Sequence, residues 1–154
     1  MIIYRILSFF VNFFCSFLAV ITVFGLIMVL ANPAALLQVF LFGSVVLYGW
    51  FANRFYANVI LRNQKMTKKQ KDWLQVNAIV AFIFSVLGIS NGIYIIYNPK
   101  MFDEILKQMP EQISNPQSLL TSVAVVLLVC CSILLVHIIW TYLLVKKYKE
   151  NFEA

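Results

Sequence analysis

Residues 117–145 read QSLLTSVAVVLLVCCSILLVHIIWTYLLV, with no Asp, Glu, Lys or Arg anywhere in the run. A helix needs about 20 such residues to cross a hydrocarbon core of ~30 Å. A membrane β-strand would alternate apolar and polar positions, and this run does not alternate. The backbone can satisfy its own hydrogen bonds in lipid as a helix, so a transmembrane helix is expected.

Three further runs read the same way: 6–31, 33–52 and 73–97, none with a charge in its central part. Over the whole chain 62% of the 154 residues are hydrophobic and 12% charged. Soluble domains sit near 45–50% apolar and about 25% charged. The expected fold class is therefore an all-α membrane protein, a four-transmembrane-helix bundle forming one integral domain over 1–154. Run 6–31 follows Arg5 and ends in Val29-Leu30-Ala31, which resembles a signal-peptide cleavage site. It is much longer than the 7–15 residues of a signal h-region, so it is read as a retained span.

The basic residues orient the spans. Arg5, then Arg54, Arg62, Lys65, Lys68, Lys69 and Lys71, then Lys146, Lys147 and Lys149 fall on one side; Lys100 and Lys107 fall on the other. The positive-inside rule puts both termini and a basic 53–72 loop in the cytoplasm of a bacterial inner or other plasma-type membrane. An even number of spans agrees in placing both termini on one side. The net charge of +6 thus reads as a topology signal. Arg62, Lys65, Lys68, Lys69 and Lys71 suit anionic lipid headgroups, and nucleic acid is not an expected partner. Trp50, Trp73 and Trp140, with Tyr48, Tyr56 and Tyr142, fall near the cytoplasmic span ends, where aromatic residues favour the headgroup level.

Three prolines follow Asn: Asn32-Pro33, Asn98-Pro99 and Asn115-Pro116. Asn caps a helix and Pro suits its first position, so each pair is expected to start a helical element. The first and third start spans two and four. The second opens 98–114, where Phe102, Ile105, Leu106 and Met109 would share one face of a short amphipathic interfacial helix between spans three and four, broken at Pro110. That face is an expected outer docking surface. Val11-Asn12 and Val76-Asn77 precede Asn32 and Asn98 by 20 and 21 positions at their Asn residues, a spacing that a duplicated hairpin or chance would produce. Span two is expected to continue as helix toward Arg62, because Asn53, Arg54, Asn58 and Arg62 fall on one stripe.

Span three carries a stripe of small residues: Ala78, Ala81, Ser85, Gly88 and Gly92. Span one carries Ser8, Asn12, Cys15, Ala19 and Thr22 at matching steps. Small residues let helix backbones approach in lipid. The two stripes are expected to pack on each other or on a partner subunit. His137 is the single histidine and lies inside span four. An ionisable residue at depth points to function by default, and the plainer expectation is a neutral ring bonded to a Ser, Thr or Asn of a neighbouring helix. Asn77, Asn91 and His137, with Asn12, would line a polar path if the chain moved a solute.

No catalytic, cofactor or metal site is expected. Cys15, Cys130 and Cys131 have no Cys-x-x-Cys spacing and lie in apolar runs. There is no intramembrane carboxylate for proton-coupled export, no His-rich box and no Gly-rich phosphate loop. Nothing in the spacing pairs Ser44 with His137 as a nucleophile. The function expected first is a non-enzymatic accessory or scaffolding subunit that meets a membrane-protein partner or its own copies. An oligomeric small-solute transporter or channel comes second, and a membrane enzyme third.

Overall fold

The computed structural model describes residues 2–102 and 115–152, and these are almost entirely helical. Among the described residues, four helical stretches are long and apolar enough to cross a membrane. They are built on α1 (Ile2–Ala31), α2 (Leu36–Phe55), α3 (Lys68–Tyr97) and α4 (Pro116–Lys147). The second stretch, Pro33–Leu61, is α2 with the short helical turns at its two ends.

The helix starts follow local chemistry. The Asn32 Oδ1 accepts from the Ala34 N–H at 3.1 Å and opens a 3-10 turn, Pro33–Ala35, that leads into α2. The Asn115 Oδ1 accepts from the Ser118 N–H at 3.1 Å and starts α4. Asn98 differs. It ends α3, and its Nδ2 donates back to the Tyr94 carbonyl at 3.2 Å. A 3-10 turn, Pro99–Phe102, follows it.

Helix continues further than the apolar runs. Beyond α2 the chain makes a π-helical turn, Tyr56–Leu61. Phe55, Tyr56 and Val59, which share one face, are all buried. α3 starts at Lys68, with Thr67 as its cap, rather than at Trp73. The irregular part of the 53–72 segment is therefore confined to 62–67. Charged residues can extend a helix into water without leaving an apolar pattern, which is why composition alone places the boundary too far along.

Helix α3 packs most extensively on α4, α1 on α2, and α2 on α3, with a smaller α1–α4 contact. The two small-residue stripes therefore face different neighbours and not each other, a correction to one of the two pairings expected. A Cβ added at Gly88 would overlap the Cys131 Sγ, and one at Gly92 would lie 3.1 Å from the Ala124 carbonyl oxygen; both neighbours are on α4. On the other side, Cys15 of α1 meets Gly49 of α2, where an added Cβ would stand 2.5 Å from the Cys15 Sγ. The Cys15 Sγ also donates to the Val45 carbonyl at 3.4 Å. Thr22 borders Gly43 of α2. Each stripe is where a neighbouring helix comes closest, because lipid supplies no hydrophobic force between helices and close packing must do so.

One end of the molecule, here called the basic end, gathers Ile2, the 62–67 turn and Lys147. The chain after α4 folds back there. The Met66 N–H donates to the Asn151 carbonyl at 2.9 Å, and the Asn151 Nδ2 donates to the Asn63 Oδ1 at 3.1 Å. Asn63 takes a left-handed conformation, φ 51°, which Asn tolerates better than most residues. Phe152 stacks on Phe55 with centroids 5.9 Å apart, and the Lys71 Nζ sits 5.2 Å over the Phe152 ring. Met66 is fully buried beneath this clasp.

The expected aromatic belt is only partly at the surface. Trp50, Trp73 and Tyr142 are exposed, but Tyr48 and Tyr56 are buried and Trp140 partly so. The interior takes Tyr48 because it has polar partners there.

Candidate functional site

Three helices bring five polar side chains together inside the basic half of the molecule. α1 supplies Tyr4 and Ser8, α2 supplies Tyr48, and α4 supplies His137 and Thr141. Tyr4 and Ser8 are four apart, as are His137 and Thr141, so each pair stands on one face one turn apart. Tyr4 and Tyr48 are wholly inaccessible, His137 is 1% exposed, Thr141 2% and Ser8 8%.

His137 is held at both ring nitrogens. The Ser8 Oγ is 3.0 Å from Nε2, and the Tyr48 Oη is 2.7 Å from Nδ1. Tyr48 also donates to the Thr141 Oγ1 at 3.1 Å, and the Tyr4 Oη is 2.9 Å from the same oxygen. The Thr141 hydroxyl donates to the His137 carbonyl at 2.8 Å. The Tyr4 ring stacks on the imidazole at 4.9 Å and 16°, and the Tyr48 ring meets it edge-on at 80°. Trp140 and Tyr56 pack around Tyr4 at 6.0 and 5.5 Å.

With a neutral ring, one arrangement of protons serves the five contacts above and leaves only the 3.5 Å approach of the Thr141 Oγ1 to Nδ1 without a proton. The Ser8 O–H donates to Nε2. The Nδ1–H donates to the Tyr48 Oη. Tyr48 and Tyr4 both donate to the Thr141 Oγ1, and Thr141 donates to the backbone. A hydroxyl oxygen can accept twice and donate once, so Thr141 is fully used. The other neutral tautomer, with the proton on Nε2, turns the Tyr48 O–H toward Nδ1. The Tyr48–Thr141 contact then has no proton. Of the two neutral forms, the network favours the Nδ1–H imidazole. No buried side-chain nitrogen or oxygen lacks a partner among the described residues.

The other residues singled out in the sequence are dispersed. Asn77 is buried, but its Nδ2 donates to the Trp73 carbonyl of its own helix at 2.8 Å. Asn91 is exposed, about four turns further along α3. Neither is a hydrogen-bond partner of His137, so the described residues form no polar line through these three. Asn12 and Ala19 border a groove between α1 and α2, with Ser16, Trp50 and Asn53. Ala78, Ala81 and Ser85 lie along the α3 stripe; Ala81 and Ser85 are buried, and the Ser85 Oγ donates to the Ala81 carbonyl at 2.8 Å. Phe102 meets Tyr94 edge-on at 6.4 Å, and the Tyr94 hydroxyl donates to the Met101 Sδ at 2.7 Å. Ile105, Leu106 and Met109, and with them most of the expected interfacial helix, lie outside the described residues. Arg62, Lys65, Lys68 and Lys69 are exposed at the basic end, with Lys71 half-buried.

Sequence reasoning finds His137 and Ser8 but not Tyr4, Tyr48 or Thr141. Their joint position depends on the relative rotation of three helices. The one signal available is the recurrence of two polar residues at a four-residue step on both α1 and α4.

The chain matches no protein-family model, no curated protein and no solved structure.

Proposed function

We propose that this protein is a non-enzymatic accessory or scaffolding subunit of a membrane complex. It is a four-transmembrane-helix bundle with both termini cytoplasmic in a plasma-type membrane. Its basic end rests among anionic headgroups through Arg62, Lys65, Lys68, Lys69 and Lys71. Segment 98–114 lies as an amphipathic helix on the opposite surface and offers Phe102, Ile105, Leu106 and Met109 to a partner.

The observation that carries this reading is Asn12. It sits well inside α1, at the groove with α2, and its side-chain amide has no hydrogen-bond partner among the described residues. Around it α1 exposes Phe9, Phe10, Phe13 and Phe17. A half-buried amide cut off from water without a partner costs about 1–3 kcal/mol. A helix of a second membrane protein that brings a donor and acceptor to Asn12 removes that cost. The small-residue faces support the reading differently from first expectation. They hold α1 to α2 and α3 to α4, and so make a rigid platform that presents the aromatic outer face of α1. The closed bonding around His137 also favours a structural role, because all of its capacity is engaged internally.

The test is purification in mild detergent with identification of co-purifying proteins. The wild-type chain should migrate within a larger complex, and Asn12→Leu should release it while keeping its thermal unfolding profile. A wild-type chain that migrates alone, with no protein bound, contradicts the proposal. A homo-oligomer that passes solute in liposomes favours the transporter reading instead.

A further inference from the structure

Helices α3 and α4 are not in contact to the same degree along their length. At Gly88 and Gly92 they meet so closely that no added Cβ would fit without displacement. Toward the basic end they part, and a groove of about 470 Å³ opens between them. Leu74, Gln75, Ala78 and Phe82 form its α3 wall, and Ile138 and Tyr142 part of its α4 wall. The surface is nearly all hydrocarbon, apart from Gln75, Thr141 and the Tyr142 hydroxyl.

At its basic end the groove runs toward two lysines. Lys71 lies one turn before Gln75 and on the same stripe as Ala78. Lys146 lies one turn after Tyr142 on the antiparallel helix. Lys71 is half-buried with its Nζ 5.2 Å over the Phe152 ring, from which its flexible stem can swing to a headgroup, and Lys146 is exposed. No carboxylate lines the groove. Asp72 is exposed and falls within roughly 20° of Ile79, at the edge of the α3 wall, but it is not among the groove's lining residues. An apolar slot with a lysine one helical turn beyond each wall is complementary to a molecule with a hydrocarbon chain and a negatively charged head.

We propose that this groove is a binding site for one anionic glycerophospholipid. An acyl chain lies against Ala78 between the two helices, and the headgroup phosphate is held by Lys71 and Lys146. The site goes beyond general attraction to the 62–71 cluster because it joins the charge to a shaped apolar slot. Basic pockets between transmembrane helices on the cytoplasmic side hold anionic headgroups in this way. A bound chain fills the space where α3 and α4 would otherwise have only each other's outer edges. The inference rests on the membrane-spanning reading, and a chain that stays dispersed without detergent would defeat that reading before this one.

The test is reconstitution into nanodiscs with equimolar phosphatidylglycerol and phosphatidylcholine of identical chains, then gentle release and native mass spectrometry. The wild-type chain should retain one phosphatidylglycerol in preference to phosphatidylcholine by about fivefold or more, since one lysine near an anionic surface is worth about that factor. Lys71→Gln with Lys146→Gln should bring the ratio near unity, whereas Lys147→Gln with Lys149→Gln, an equal loss of charge at the same end, should leave it largely intact. Ala78→Phe should reduce retention of both lipids, with helical content checked by circular dichroism. Equal retention by the wild-type chain overturns the proposal. So does an undiminished preference in the Lys71/Lys146 variant, or undiminished lipid retention in a folded Ala78→Phe chain.

Discussion

The Tyr48 hydroxyl lies 2.7 Å from the His137 Nδ1 and joins α2 to α4 in the interior of the molecule. These two helices share little other contact, so this bond and the neighbouring one to Thr141 tie them together. Tyr48→Phe keeps the ring and removes both bonds. A buried donor left without a partner costs about 1–3 kcal/mol. The variant should melt earlier in detergent, while Tyr142→Phe at an exposed position should not. A Tyr48→Phe chain as stable as the wild type would show that the contact carries no net free energy.

The same network makes a statement about a single proton. His137 should be the neutral Nδ1–H tautomer, readable from its ¹⁵N chemical shifts. Ser8→Ala takes a donor from Nε2 and leaves an acceptor, Nε2, without a partner. It should cost about 1 kcal/mol and leave the tautomer unchanged. A spectrum showing the Nε2–H form would contradict the proton arrangement.

Close approach at glycines gives a prediction with a built-in rescue. Gly88→Ala would press on the Cys131 side chain, at a cost of about 1–3 kcal/mol. Cys131→Ala in the same chain should recover most of that loss. Gly92→Leu meets the Ala124 carbonyl oxygen, which belongs to the backbone, so trimming side chains should not rescue it. Thermal unfolding of the single and double variants would decide the matter. Equal losses for Gly88→Ala with and without Cys131→Ala would contradict the assigned contact.

The clasp at the basic end can be opened separately. Phe152→Ala removes the stack on Phe55 and the ring beneath Lys71. Such an aromatic pair is worth about 1 kcal/mol. Limited trypsin cleavage after Lys65 should then speed up by about fivefold, because local opening sets the rate. An unchanged rate would mean that the fold-back does not hold the 62–67 turn.

How much of this is legible in the sequence varies by feature. The four long helices are plain, because an uncharged apolar run of the length of 117–145 has few other solutions. The Asn32 and Asn115 starts are also legible, since capping is a matter of neighbouring residues. Thr67 escapes notice as the start of α3 because the residues after it are polar and show no apolar period. Asn77 illustrates a different limit. Its side chain turns to its own helix, a choice that depends on local rotamers and not on spacing. Tyr48 reads as a headgroup-level residue because tyrosine near a span end usually sits there. Its burial depends on where His137 and Thr141 stand on another helix, and no single segment carries that information.

The account depends most on four crossings that return both ends of the chain to one side. The direct measurement is a paired topology assay in cells, with one reporter fused at the C-terminus and another inserted within residues 103–114. The account predicts a cytoplasmic signal from the first and an external signal from the second. Two signals from the same side, or the reverse pair, would contradict it.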